Sequence, residues 1–280
     1  MQGTGTKTDP YIVDNWSDYQ ALSGSSIYIE WDNSAECKIV DFNEINPSGF
    51  DETVNFSRYT TFNGWSFVNF FSTAKNNAIS ISDVSSTTGN FKFVNFYWQP
   101  DANTSSTKYS FIKSSATSST VLKNCEFSGR IEIVTGKKNF SSDCVKLNEC
   151  SLNLVLNTTE NFTVFANTIK NSDVILDVSA PSLTLCEKEA INSRFSGKIR
   201  SQNVVNVGTE NSGYNVYNLD SDGPLNYQGK GVSVYNSEIS ASSQTDEEME
   251  ELGIKFEPCT AEELKNTTYL QGVNFPIGVD

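Results

Sequence analysis

The chain has no histidine among its 280 residues. That removes the side chain that titrates nearest neutrality, the Ser-His and Cys-His nucleophile pairs, and most zinc sites. Any proton transfer would fall to carboxylates, Lys, Tyr or Arg. No stretch approaches the length of a transmembrane helix. Charged residues are scarce at 19%, and 34 acidic groups against 20 basic ones give a net charge of −14. Such a surface repels nucleic acid and anionic membranes, so neither nucleic-acid binding nor membrane insertion is expected. No cysteines stand in CxxC spacing; the six lie at 37, 125, 144, 150, 186 and 259. The opening residues hold no basic segment followed by an apolar run. The expectation is synthesis in a reducing cytosol, with thiols serving as small core residues.

Hydrophobic residues are few for this length, at 37%, but aromatics reach 12%, carried by 18 Phe and 11 Tyr. A core can form, thin and spread along the chain. The polar balance is Ser, Asn and Thr, which compete with the backbone in helix interiors and so favour strands and turns. Three capping boxes mark short helices, all near the ends: Ser17–Gln20, Thr245–Glu248 (leading to Met249 and Leu252) and Thr260–Glu263. Between about residues 26 and 240 no helical period is sustained. Short alternating runs stand there instead, at 26–31, 65–70, 78–82, 91–96, 130–134, 152–156, 173–178 and 232–239.

These runs repeat loosely. Asn124-Cys-Glu-Phe127-Ser-Gly-Arg-Ile131 resembles Asn192-Ser-Arg-Phe195-Ser-Gly-Lys-Ile199, weaker copies stand at 149–152, 167–171 and 236–239, and successive apolar anchors fall at 127, 152, 169, 195, 217 and 239. A drifting period of roughly 20–26 residues with strands and no helices between them is a solenoid signature. The expected fold is all-β, a right-handed parallel β-helix with a short helical N-terminal cap and a helical C-terminal tail. A β-sandwich with coincidental spacing is the alternative. Asn at the turns can stack into ladders. The opening GTGTKTDPYIV is not a phosphate loop, because no strand precedes it and Gly and Lys are not adjacent. It suits a turn at Asp9-Pro10, a first strand at 11–13, and a helix plugging the first coil. The expected divisions are a cap over 1–25, a solenoid over 26–240, and a docking tail over 241–280.

The two ends resemble a known group. Gly3-Thr-Gly5-Thr6-Lys-Thr-Asp9-Pro10-Tyr11-Ile12 followed by Trp16-Ser-Asp18-Tyr19-Gln-Ala-Leu22 is similar to the opening of pectate-lyase-like β-helix proteins. The stretch from Thr260 through Tyr269-Leu270 to Phe275-Pro276-Ile277-Gly278 resembles their closing segment. Such proteins occur on gut bacterial surfaces and in phage or prophage virions. The resemblance covers about a fifth of the chain. It implies a β-helix, often a homotrimer, used for attachment, and it carries over no catalytic residue.

Several side chains are candidates for function. Asn218, Asp220 and Asp222 before Gly223 match the first half of a calcium loop, but position 12 is Gly229 instead of Glu; an Asx-rich turn is the alternative. Glu126, Glu132, Asp173 and Asp177 could pair for glycoside hydrolysis or lyase chemistry, or simply give solubility. Phe96-Tyr97-Trp98-Gln99-Pro100 is the most conspicuous aromatic cluster. Tyr97 and Trp98 point to opposite sides of any strand, so one of them would contact a glycan or a subunit. The acidic run 246–251 reads as a solvated helix face. The leading expectation is a phage virion protein of the tail, fibre or capsid surface, assembled in the bacterial cytoplasm. It would need no cofactor, and its partners would be other virion proteins and a host surface glycan. A polysaccharide depolymerase and a bacterial surface adhesin are the alternatives.

Overall fold

In the computed structural model the chain is an all-β parallel solenoid. The structure describes residues 2–22, 27–56, 59–81, 87–100, 109–114, 120–133, 138–141, 145–159, 162–165, 168–186, 188–201, 203–207, 209, 211–229, 231–242 and 255–266. The long sheet has eleven strands, from Ile39–Asp41 to Lys255–Cys259. A second sheet has nine, from Val54–Phe56 to Ala241–Ser242. A third has five, from Thr87–Gly89 to Glu189–Ile191. A three-stranded sheet of Tyr11–Val13, Ile29–Trp31 and Thr60–Thr61 lies at the N-terminal end.

Alternation builds the core. In Asp173–Ser179 every second residue is buried, and inward residues stack on the same position of the next coil. Phe93, Phe127, Leu152, Val174, Phe195 and Tyr217 form one such row. Each buried side chain of this size contributes about 1.5–3 kcal/mol relative to exposure. The N-terminal coils fill the same space with rings, among them Trp31, Trp65, Phe67 and Phe93. Helix Trp16–Ala21 lays Trp16 and Tyr19 on Trp31, Phe42 and Phe56.

One residue turns the chain from the third sheet into the long sheet. Asn90, Asn124, Glu149, Asn171, Asn192 and Tyr214 occupy that corner in successive coils, all with φ between 50° and 57°. Asn tolerates this left-handed conformation better than most residues. Its amides also form a ladder: Asn192 Nδ2 donates to Asn171 Oδ1 at 2.8 Å, and Asn171 Nδ2 to Asn148 Oδ1 at 3.0 Å. Glu149 interrupts the ladder, so Asn148 serves as acceptor in its place, and the Glu149 carboxylate pairs with Lys123 at 3.3 Å.

The residue after each of these corners is buried, and from Asn124 onward it supplies a second relay. The Cys150, Ser172, Ser193 and Asn215 backbone N–H groups donate to Ser172 Oγ, Ser193 Oγ, Asn215 Oδ1 and Ser233 Oγ respectively, at 3.0–3.3 Å. The Phe91 and Cys125 N–H groups use the sulfurs of Cys125 and Cys150 in the same way. Each coil thus satisfies a buried donor with a side chain of the coil that follows it.

Several expectations are corrected. Ile169 belongs to the third sheet and Ile239 lies past its strand; the residues in register with Phe127 are Val174 and Tyr235. The first helix is capped by Asn15, whose side chain accepts from Asp18 N, and Ser17 sits inside it. A four-residue helix, Phe42–Ile45, stands where the residues carry no capping box. Strand pairing also runs beyond residue 240, since Lys255–Cys259 adds to the long sheet beside Val232–Asn236. The Thr260 capping box forms with both halves in place. Its helix, Ala261–Lys265, packs Leu264 on Val216 and Val234, on the outer face of the long sheet. The Thr245 box, Met249, Leu252, the run 246–251 and the segment from Tyr269 to Gly278 lie outside the described residues. Among the described cysteines, 125, 150, 186 and 259 are buried and Cys37 is exposed.

Candidate binding groove on the long sheet

A β-bulge makes the only break in phase within strand Lys92–Trp98. Asn95 takes φ 57°, and the register with the next strand shifts between Val94 and Phe96. The extra residue re-aims the side chains beyond it. Phe93, Phe96 and Trp98 face the core, and Tyr97 faces out. Trp98 is 0% exposed and its indole N–H donates to the Ala74 carbonyl at 3.1 Å. Of the two aromatic candidates, only Tyr97 has surface to offer a ligand.

Tyr97 is held on both faces. Phe71 of the preceding coil stacks on it at 5.4 Å, and the guanidinium of Arg130, in the following coil, lies 5.9 Å from its centroid. Its hydroxyl donates to Glu132, which also pairs with Arg130. A sugar ring therefore meets the edge of Tyr97 and not its face. Desolvation, and then the bond to Glu132, push the Tyr97 phenol up from its ordinary value. The Tyr97 hydroxyl, followed by Arg130, holds the Glu132 carboxyl below the usual range. At neutral pH the phenol is an uncharged donor, and Arg130 and Glu132 cancel.

Beside this network runs a shallow groove of about 530 Å³ crossing three coils, with Val94, Asn95, Ser128, Gly129, Asn153 and Val155 along it. Gly129 is required here, because a Cβ would sit 2.3 Å from the Phe96 carbonyl oxygen. Asn95 is joined to Asn69, and Asn69 to Asp41, by a second amide ladder. The groove thus offers amides, a hydroxyl, one guanidinium and two patches of valine. Polar groups of this kind fix orientation in a ligand site, and apolar ones exclude water.

Beyond the groove the sheet carries charge in rows. Strand Asp173–Ser179 points Asp173 and Asp177 outward, strand Arg194–Arg200 points Arg194, Lys198 and Arg200, and strand Val216–Ser221 points Asp220. Arg200 is clasped by Asp220 and Asp222 at 3.2 and 3.3 Å. Asn218 therefore lies beside two carboxylates that share the Arg200 guanidinium, an arrangement unlike a calcium cage. Among the described residues, no group of three or more His, Cys, Asp or Glu side chains could hold a metal ion.

The four carboxylate candidates do not meet. Glu126 pairs with Lys92 at 2.8 Å, Glu132 with Arg130, and Asp173 and Asp177 stand in register with Arg194 and Lys198. No two of them occupy the same row in neighbouring coils, where the separation would be about 5 Å as a retaining glycosidase requires. The Arg130 contribution was the feature missed from sequence. Its signal is the Arg130-Ile131-Glu132 spacing, which puts both charges on one face of a strand. Comparison of the chain with protein-family models, with curated proteins and with solved structures finds no match.

Proposed function

We propose that the chain is a non-catalytic attachment protein of a phage virion, of the pectate-lyase-like β-helix type, whose long-sheet groove holds a host surface glycan. One observation carries this proposal: a preformed groove whose hydrogen-bonding groups are fixed by ladders and by the Tyr97–Arg130–Glu132 network. Binding is edge-on, through Arg130, Asn153, Ser128 and Asn95 to sugar hydroxyls, because both faces of Tyr97 are taken. The described residues lining the groove include no carboxylate, so we take it to bind without cleavage. The charge rows bear on assembly as well. In a parallel homotrimer each coil meets the same coil of its neighbours. Long sheets facing each other would set the Arg194–Lys198–Arg200 rows together, so the trimer turns this sheet outward.

The test is a panel of surface polysaccharides from candidate host bacteria, measured for binding and for oligosaccharide release. Expected is binding to at least one member with no release, weakened at least tenfold by Asn153→Ala. Release of oligosaccharide, or binding untouched by Asn153→Ala and Arg130→Ala, would refute the proposal.

A further inference from the structure

Cys125 and Cys150 occupy the same position of successive coils, each one residue before strands Glu126–Ile133 and Ser151–Thr158. Those strands pair residue for residue from Glu126↔Ser151 onward. Both thiols are buried, at 2% and 3% exposure, and both follow a left-handed corner residue. Their sulfurs sit in matching places: Cys125 Sγ lies 3.3 Å from the Lys123 carbonyl oxygen and Cys150 Sγ 3.4 Å from the Asn148 carbonyl oxygen. Neighbouring coils put the two Cα atoms about 4.8 Å apart, inside the roughly 4.4–6.8 Å that a disulfide spans. None of the other described cysteines is in register with a second one.

We propose that Cys125 and Cys150 are an oxidation site, closing to an inter-coil disulfide on exposure to peroxide and locking together the two strands that carry most of the groove. The locking half rests on the groove assigned above. The disulfide half stands without it.

The chemistry balances. The Cys150 sulfur, as thiolate, attacks one peroxide oxygen, and the O–O bond breaks. Cys150 becomes a sulfenic acid and the other oxygen leaves as hydroxide, taking up a proton to give water. The Cys125 sulfur then attacks the sulfenic sulfur, the S–O bond breaks, and a second water leaves. Two thiols and one hydrogen peroxide give one disulfide and two waters. Cys150 is the first nucleophile because it accepts from the Cys125 N–H and thiol, while burial pushes the Cys125 thiol up. The corner residues Asn124 and Glu149 are surface groups, so opening one turn admits an oxidant as small as peroxide. A chain folded as the dithiol in a reducing cytosol would acquire the staple only after release.

The experiment uses the full chain carrying Cys37→Ser, which removes the exposed thiol and its intermolecular products. Thiols are counted after denaturation, before and after hydrogen peroxide, and the cross-link is mapped by non-reducing digestion. Amide exchange is followed across residues 126–133 and 151–158 in both states. Expected is the loss of two thiols, a single Cys125–Cys150 cross-link reversed by dithiothreitol, and exchange slowed several-fold in both strands. Cys125→Ser and Cys150→Ser should each fold, since serine fills this column in later coils, and each should abolish the cross-link. An unchanged thiol count, or loss to sulfinate or to other pairs, overturns the proposal. A cross-link without slowed exchange overturns the locking half. A locked groove that binds no glycan leaves this proposal standing and counts only against the attachment function.

Discussion

Replacing Ser193 by Ala should remove one link of the buried relay and destabilise the solenoid by about 1–3 kcal/mol. Ser193 Oγ accepts from the Ser172 N–H at 3.3 Å and donates to the Ile191 carbonyl at 3.0 Å. Alanine deletes both bonds. The Ser172 N–H is then left buried without an acceptor, which carries most of the penalty. The volume lost is small, so a cavity contribution is minor beside it. For a chain of this length that translates to roughly 2–6 °C in Tm. Two companions isolate the cause. Ser196→Ala, on the same strand but facing outward, should change stability by less than about 0.5 kcal/mol. Ser193→Cys should fall between Ser193→Ala and the parent, because sulfur already fills the same role at 125 and 150. The assays are urea unfolding by circular dichroism and exchange of the Ser172 amide, which stays informative even if coils fray one at a time. If Ser193→Ala and Ser196→Ala are indistinguishable, or the Ser172 amide exchanges no faster, the relay does not stabilise the fold.

Alkaline pH should unfold the C-terminal coils first. Burial raises the Tyr227 phenol to about 12 and Tyr217 well above its ordinary value. Both hold their protons more tightly when folded, so the stabilisation is complete below about pH 10 and lost as pH rises toward 12. For Tyr227 this is worth roughly 2–3 kcal/mol, and tyrosinate absorbance that tracks unfolding rather than preceding it is the expected readout. Gly197→Ala should cost about 3 kcal/mol or more, since φ is +112° and a Cβ would lie 1.9 Å from the Leu176 carbonyl oxygen; urea midpoints check it. In Arg130→Met the Glu132 carboxyl should titrate higher than in the parent, though still below its ordinary value because Tyr97 remains its first donor. The lowered value means that Glu132's contribution is present above about pH 4.5 and lost as pH falls through the folded value. Carboxyl NMR follows the shift directly, and an unmoved titration would dissociate Arg130 from the network.

The solenoid was legible because every second residue of runs such as Leu152 to Leu156 and Val174 to Val178 is apolar, and because the coils share one chemistry. The orientation of Tyr97 and Trp98 was not legible. Counting by twos from Phe93, which is buried, sends Tyr97 inward and Trp98 outward. The bulge at Asn95 resets the phase and reverses both. Nothing in the residue types around Asn95 distinguishes that asparagine from those at ordinary corners. The Tyr97–Arg130 contact was hidden for a related reason: it joins residues 33 apart whose register depends on the bulge and on the length of the loop between them.

The misplaced anchors have a more instructive cause. Reading the repeat as Asn, two variable residues, then an apolar residue keeps only the corner and the core. The structure shows that the position after the corner is constrained too. Asn124-Cys125-Glu126-Phe127, Glu149-Cys150-Ser151-Leu152, Asn171-Ser172-Asp173-Val174, Asn192-Ser193-Arg194-Phe195 and Tyr214-Asn215-Val216-Tyr217 share a small or amide side chain there, able to accept a hydrogen bond. Phe91, after the Asn90 corner, offers no acceptor, so the relay begins at Cys125; from there on a large apolar residue at that position would leave the preceding coil's N–H buried and unpaired. At the third position side chains face outward and vary freely, from Glu to Arg. Asn167-Thr-Ile169 lacks this spacing, which is why it imitates the repeat without belonging to it. The relay also gives the solenoid a direction. Each coil's buried donor depends on the coil after it, until Asn215 reaches Ser233, whose hydroxyl is 3.0 Å from the Tyr227 hydroxyl. A break at any one of these side chains is therefore felt first in the coil that precedes it.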